Sequence, residues 1–225
     1  EGYHQTLLIG SDAEFAGRQT YIDPTNPKTR KFQWEQVKKS YYNQGIKAYW
    51  LDATEPEINP LDFDNLSYHI GDGEKVSLAY PYYNQKTFGE GLAASGENHS
   101  VLLTRSAYAG SQKFGAILWN GDIPSTFEAL EDSVISGLSM GMCGIPWWNS
   151  DIGGFSDGNT ESEEFRELIL RWFQFGLFCP VMRLHGVRRW QSDYTPPHPG
   201  ITCPSGGDNE LWSFGQENYP VLKEI

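Results

Sequence analysis

The chain has 225 residues, 39% of them hydrophobic and 20% charged, enough to bury a core of one good-sized domain. A formal charge of −12 repels phosphate backbones and anionic lipid, so nucleic acid and membrane surfaces are not expected partners. No apolar run reaches the length of a membrane span, and the first residues lack the pattern of a secretory leader, so a soluble protein, cytoplasmic or secreted, is expected.

In chain order, the expected elements alternate between apolar strands and helices. Thr6 to Ile9 reads as a short strand. Asn26 is placed to cap a helix that Pro27 opens, with Phe32, Trp34, Val37 and Tyr41 as its apolar stripe and Gly45 as its end. Ile46 to Leu51 follows as a buried strand with Asp52 at its tip. Pro56 to Tyr83 is rich in Asp, Asn, Gly and Pro and reads as a long loop, with a helical stretch near Lys86 to Ala94. Ser100 to Thr104 is a strand tipped by Arg105, and Phe114 to Trp119 a strand tipped by Asn120-Gly121-Asp122. Ser125 and Glu128 have capping-box spacing ahead of a helix that closes near Gly141. Met142 to Trp148 is a strand with Asp151 just beyond it. Thr160 and Glu163 repeat the capping-box spacing before a helix through Trp172. Pro180 precedes a strand from Val181 to Leu184 that ends at His185, and a further helix is expected within Trp212 to Ile225.

This alternation predicts an α/β fold on a parallel sheet. Polar residues at successive strand tips favour a (β/α)8 TIM barrel, which gathers all its tips on one face. Five strands, or six with Thr6 to Ile9, fall short of eight. Residues 1–225 are therefore expected to be one partial catalytic barrel domain, its C-terminal five or six β/α units. The exposed strand edges of such a piece would favour a homo-oligomer, a second copy covering them.

Two carboxyl groups on different strand tips suit hydrolysis of a glycosidic bond, one as nucleophile and one as acid and then base. Asp52 and Asp122 hold such positions. The sequence lacks His-Glu-x-x-His and the phosphate-binding loop pattern. Neither a metal nor another cofactor is expected. The three cysteines, Cys143, Cys179 and Cys203, form no Cys-x-x-Cys pair and read as buried free thiols.

The segment Tyr49-Trp50-Leu51-Asp52-Ala53-Thr54-Glu55-Pro56-Glu57 resembles the nucleophile region of glycoside hydrolase family thirty-one, with Ala53-Thr54 departing from its commoner Met-Asn. Arg105-Ser106-Ala107-Tyr108 resembles its arginine segment, and Trp119-Asn120-Gly121-Asp122 its acid/base segment. Trp147-Trp148-Asn149-Ser150-Asp151-Ile152-Gly153-Gly154-Phe155 and Arg183-Leu184-His185-Gly186 follow in the family's order. The resemblance runs from about Tyr21 to at least Gly186. It implies a retaining exo-α-glycosidase acting on terminal α-linked xylose or glucose in an oligosaccharide or other α-glycoside. Asp52 would form the covalent glycosyl-enzyme and Asp122 serve as acid/base. Arg105 and His185 would hold sugar hydroxyls. Asp151 would bind sugar or hold Arg105 or a loop in place, and Glu55 would brace its loop. Trp50, Trp119, Trp147 and Trp148 would wall the pocket, about half of them facing inward. An α-transglycosylase, or an inactive carbohydrate-binding fragment, is the alternative.

Overall fold

The structure is a computed structural model that describes residues 8–9, 18–19, 21–55, 60–189 and 206–225. The chain packs as two units, Glu1–Ile117 and Leu118–Ile225.

In the first unit, Leu8–Ile9 (β1) pairs antiparallel with Arg18–Gln19 (β2). The strand expected there is thus not part of the parallel sheet. A parallel partner needs a crossover of a dozen or more residues, and eight separate these two strands. Helix α1, Pro27–Ser40, starts as expected, with Asn26 Oδ1 accepting from the Lys28 amide at 2.9 Å. Its inward face is narrower than expected. Trp34 and Val37 pack on the core, while Phe32 and Tyr41 are exposed. The helix stops before Gly45, which closes a separate short 3-10 turn with φ of 93°.

Strand β3, Ala48–Leu51, follows. The segment expected to be a loop is more ordered than its composition suggests. It holds a 3-10 turn at Pro60–Asn65, the pair Ser67–Tyr68 (β4) and Gly71–Asp72 (β5), and the short helix α2, Gly73–Val76. Helix α3, Tyr80–Ala94, starts six residues before the expected stretch, with Pro81 in its first turn. Strand β6, Val101–Thr104, pairs in parallel with β3, Leu51 opposite Thr104. Strand β7, Ala116–Leu118, lies on the other side of β6, whose Leu102 amide donates to Gly115 O. Leu51, Phe88, Leu92, Leu102 and Phe114 form the core between these strands and α3. Gly91 lets Trp34 lie on α3, since a Cβ there would sit 2.0 Å from the indole.

The second unit begins at Leu118. Helix α4, Phe127–Met142, is capped by Thr126, whose hydroxyl accepts from the Ala129 amide at 3.2 Å; Ser125, the expected cap, is one residue too early. Helix α5, Glu163–Leu177, is likewise capped by Ser162 and not Thr160. The expected fourth and fifth strands shrink to single parallel bridges, Leu118 with Trp148 and Ile152 with Leu184. Met142 still belongs to α4, Gly144 takes a left-handed φ of 80°, and Pro146 has no amide to give a ladder. Beyond the tips, Pro124 bridges Ser156 and Gly158 bridges Arg188, so the loops pair with one another as well.

Trp172, Ile169, Leu168 and Phe165 of α5 bury against Ile152, Phe214 and Leu222. Each large apolar side chain so buried contributes about 1.5–3 kcal/mol. The last expected helix is only Tyr219–Glu224, α6, after a 3-10 turn at Leu211–Ser213. Cys143 is exposed, contrary to the expectation of a buried thiol, because it lies just past the end of α4. Cys179 is half-buried, and Cys203 lies outside the described residues. No helix of the described residues is long and apolar enough to cross a membrane.

Candidate active site

In the first unit, the parallel register of β3 and β6 brings Asp52 and Arg105 together, each one residue past the paired Leu51 and Thr104. Arg105 Nε lies 3.5 Å from Asp52 Oδ1 and 3.0 Å from Glu55 Oε1, and its Nη2 donates to Glu55 Oε2 at 3.4 Å. The arginine side chain is 15% exposed and the Asp52 side chain 51%, so the cation is sheltered while the carboxylate faces outward. Asp52 Oδ1 also accepts from the Ala53 amide at 2.8 Å, and Ala53 takes a left-handed φ of 50°. A non-glycine residue in that region is held there at a cost of about 1–3 kcal/mol. The turn is anchored from below, where Thr54 Oγ1 donates to Leu51 O and Gln85 donates to Ser106 O. Trp50 is half-exposed, on the strand face opposite buried Leu51.

The second unit carries the other expected residues. Asp122 is exposed in a tight turn after β7 in which Gly121 has φ of 79°. Asn120 ties this turn to α4, donating at 2.8 Å to Ser133, which itself donates to Ala129 O. Asp151 is fully buried, and Arg183 Nη2 donates to its Oδ1. Burial pushes the Asp151 carboxyl up to about 6; Arg183 opposes that rise and the Asp122 charge adds to it. His185 is half-buried with its ring 5.6 Å from that of Phe155.

The tryptophans divide by depth. Trp147 is half-exposed, whereas Trp119 and Trp148 are buried. Trp148, expected in the pocket wall, packs against α4 instead: a Cβ on Gly137 would lie 2.7 Å from its ring. The Arg183 guanidinium lies 5.3 Å from the centre of the Trp119 ring.

Two arginines had no expected role. Arg183 donates from Nε to Asn149 Oδ1 at 3.0 Å besides pairing with Asp151. The available signal was its spacing from His185, because residues two apart on a strand share a face. Arg188 is 1% exposed and donates to Asn209 Oδ1 and to the carbonyls of Ile152, Gly154 and His185. Burial lowers its guanidinium to about 10. It ties the loop after Asp151 to the segment carrying His185, and Gly153, Gly158 and Gly186 are spaces into which a side chain would strike it.

The chain matches the family model described as the Glycosyl hydrolases family 31 TIM-barrel domain over residues 2–199. It is 47% identical over 175 residues to an uncharacterized family 31 glucosidase, ORF2, of Pseudescherichia vulneris, covering 78% of this chain and 33% of that protein. It is 35% identical over 231 residues to alpha-xylosidase A of Aspergillus niger, covering 89% of this chain and 30% of the relative. Among solved structures, a GH31 alpha-xylosidase from a soil metagenome complexed with xylose superposes with a TM-score of 0.84 at 47% identity, over 93% of this chain and 31% of that one. The chain thus spans about a third of the length of these relatives. With strand tips that carry paired charges and a family model matched over most of its length, the chain belongs to glycosyl hydrolase family 31, within the TIM-barrel domain.

Proposed function

We propose that the protein is a retaining exo-α-glycosidase that releases terminal α-linked xylose or glucose. The observation that carries this reading is the Asp52–Arg105 pair at adjacent parallel strand tips, in a chain whose relatives include proteins named alpha-xylosidase. Asp52 attacks the anomeric carbon as the bond to the leaving oxygen breaks, and Asp122 gives that oxygen its proton. Water then attacks the glycosyl-enzyme while Asp122 takes a proton from it. Two inversions give net retention. Arg105 and His185 hold sugar hydroxyls, contacts that raise the rate to the extent that they strengthen as the ring flattens.

Release of a chromogenic group from aryl α-xyloside and aryl α-glucoside tests the reading. We expect release by the native protein, xyloside above glucoside, and loss of about a thousandfold or more in Asp52→Ala, which has no nucleophile. Equal release by Asp52→Ala would sink the assignment. We further propose that the chain associates with a second copy. Strand β3 is an edge of its sheet among the described residues and carries half-exposed Trp50. Light scattering should give a mass above one chain, and a monomer at all concentrations would reject the association.

A further inference from the structure

Asp122 stands at the centre of a three-residue turn, because the Ile123 amide donates back to Gly121 O at 3.0 Å. The Ile123 carbonyl accepts from two further amides, Phe155 at 2.8 Å and Ser156 at 3.1 Å, so the loop after Asp151 fixes where that turn lies. The loop is held in its own place by Arg188. Arg188 Nη1 donates to Gly154 O at 2.8 Å, one residue before Phe155, and Nη2 donates to Ile152 O at 2.9 Å and to His185 O at 3.3 Å. Its Nε donates to Asn209 Oδ1 at 2.7 Å, and its backbone carbonyl accepts from the Gly207 amide at 2.8 Å. The Val187 amide closes the arrangement by donating to Phe155 O at 2.6 Å, and the Phe155 ring lies 5.6 Å from that of His185. Every acceptor that the buried guanidinium meets among the described residues is a carbonyl or the Asn209 amide oxygen. Burying a cation without a contacting counter-ion costs stability, which apolar filling of the same space would not. What arginine supplies here is a planar fork that holds four oxygens at fixed angles.

We infer that Arg188 is a positioning residue for the acid/base: through Gly154 and Phe155 it sets the turn that carries Asp122, and through the His185 carbonyl it ties that residue to the same loop. This rests on the reading of Asp122 as acid/base and of His185 as a sugar contact. Arg188 itself touches neither the sugar nor the reacting atoms. Its effect is geometric, since a misplacement of about 1 Å between proton donor and leaving oxygen can cost about a hundredfold in rate. The effect is also selective. As the glycosidic bond breaks, its electron pair goes to the leaving oxygen, and the Asp122 proton is needed there only when that oxygen is a poor anion. Lysine at 188 would keep the charge but present a single compact head, which cannot meet four oxygens in one plane.

The test compares the native chain with Arg188→Lys on aryl α-xylosides, from dinitrophenyl, which leaves as a stable anion, to unsubstituted phenyl, which needs the proton. In the variant kcat/KM should fall by about tenfold to a hundredfold for the phenyl xyloside and by less than about threefold for the dinitrophenyl one. An equal fall for both would overturn the positioning role, because loss of folded protein lowers every rate alike. Hydrogen exchange read by peptide gives a second arm that needs no turnover. Exchange over 152–158 should quicken by about tenfold or more in Arg188→Lys while that over α5 changes by less than about twofold. Unchanged exchange over 152–158, or an equal rise over α5, would overturn the clamp. Asn209→Ala removes only the acceptor at Nε, from a half-buried side chain, so it decides the matter if Arg188→Lys does not fold. It should show the same dependence on the leaving group at smaller size, and rates equal to the native ones for every xyloside would overturn the inference. Absence of sugar release by the native protein would count against the proposed activity, and the exchange arm would then decide the clamp by itself.

Discussion

Arg105 meets Asp52 and Glu55 at once, its Nε and Nη2 both engaged by Glu55. Lysine at this position would keep the charge but lose the two-point contact with Glu55. Arg105→Lys should therefore lower kcat/KM for the aryl glycoside by about tenfold to a hundredfold, or about 1.4–2.8 kcal/mol. Full activity in that variant would mean that the fork is not used. The position of Arg105 was legible because it ends an apolar strand and begins a family segment. The Asp151–Arg183 pair was not, because 32 residues separate the partners and only the bridge of Ile152 with Leu184 aligns their strands. The side that Trp148 faces was not legible for a related reason. Alternation says that Trp147 and Trp148 face opposite ways, but not which faces α4, until the register with Leu118 is known.

At the scale of elements, helices were easier to find than their first residues. Both capping-box spacings pointed to the right helix and to the wrong cap, because a loop with several hydroxyls offers several candidates and backbone direction chooses among them. The difference can be measured. Thr126→Ala should cost about 1 kcal/mol in urea unfolding, since it removes the acceptor for the Ala129 amide. Ser125→Ala should cost far less, because no partner of Ser125 Oγ is found among the described residues. A reversal of that order would reassign the cap. The strands divide in the same way. The parallel strands β3, β6 and β7 were found from apolar runs, whereas Met142 to Trp148 failed because an apolar run that closes a helix looks the same as one that opens a strand.

For the molecule as a whole, a buried carboxyl in the second unit and a hydrogen-bonded carboxylate in the first respond to pH in opposite directions. In the second unit the folded Asp151 titrates at about 6 against an ordinary 3.8, so the folded state binds more protons than the unfolded one between those values. The stability this confers is fully present below about 4 and is lost as pH rises through 6, by about 3 kcal/mol. In the first unit, hydrogen bonds from Lys47 and Tyr42 hold the Glu97 carboxyl below its ordinary range. That contribution is present above 4.5 and is lost as pH falls. Hydrogen exchange read by peptide from pH 4 to 7, corrected for intrinsic rates, should show protection in Leu118–Ile225 falling with pH while that around Glu97 does not. Asp151→Asn lowers the starting stability, because it leaves the Arg183 charge buried without its counter-ion, but it removes the titrating group. Its slope against pH in the second unit should therefore flatten even as its absolute protection drops. A variant that kept the native slope would assign the pH dependence to another group and leave Asp151 ionised throughout this range.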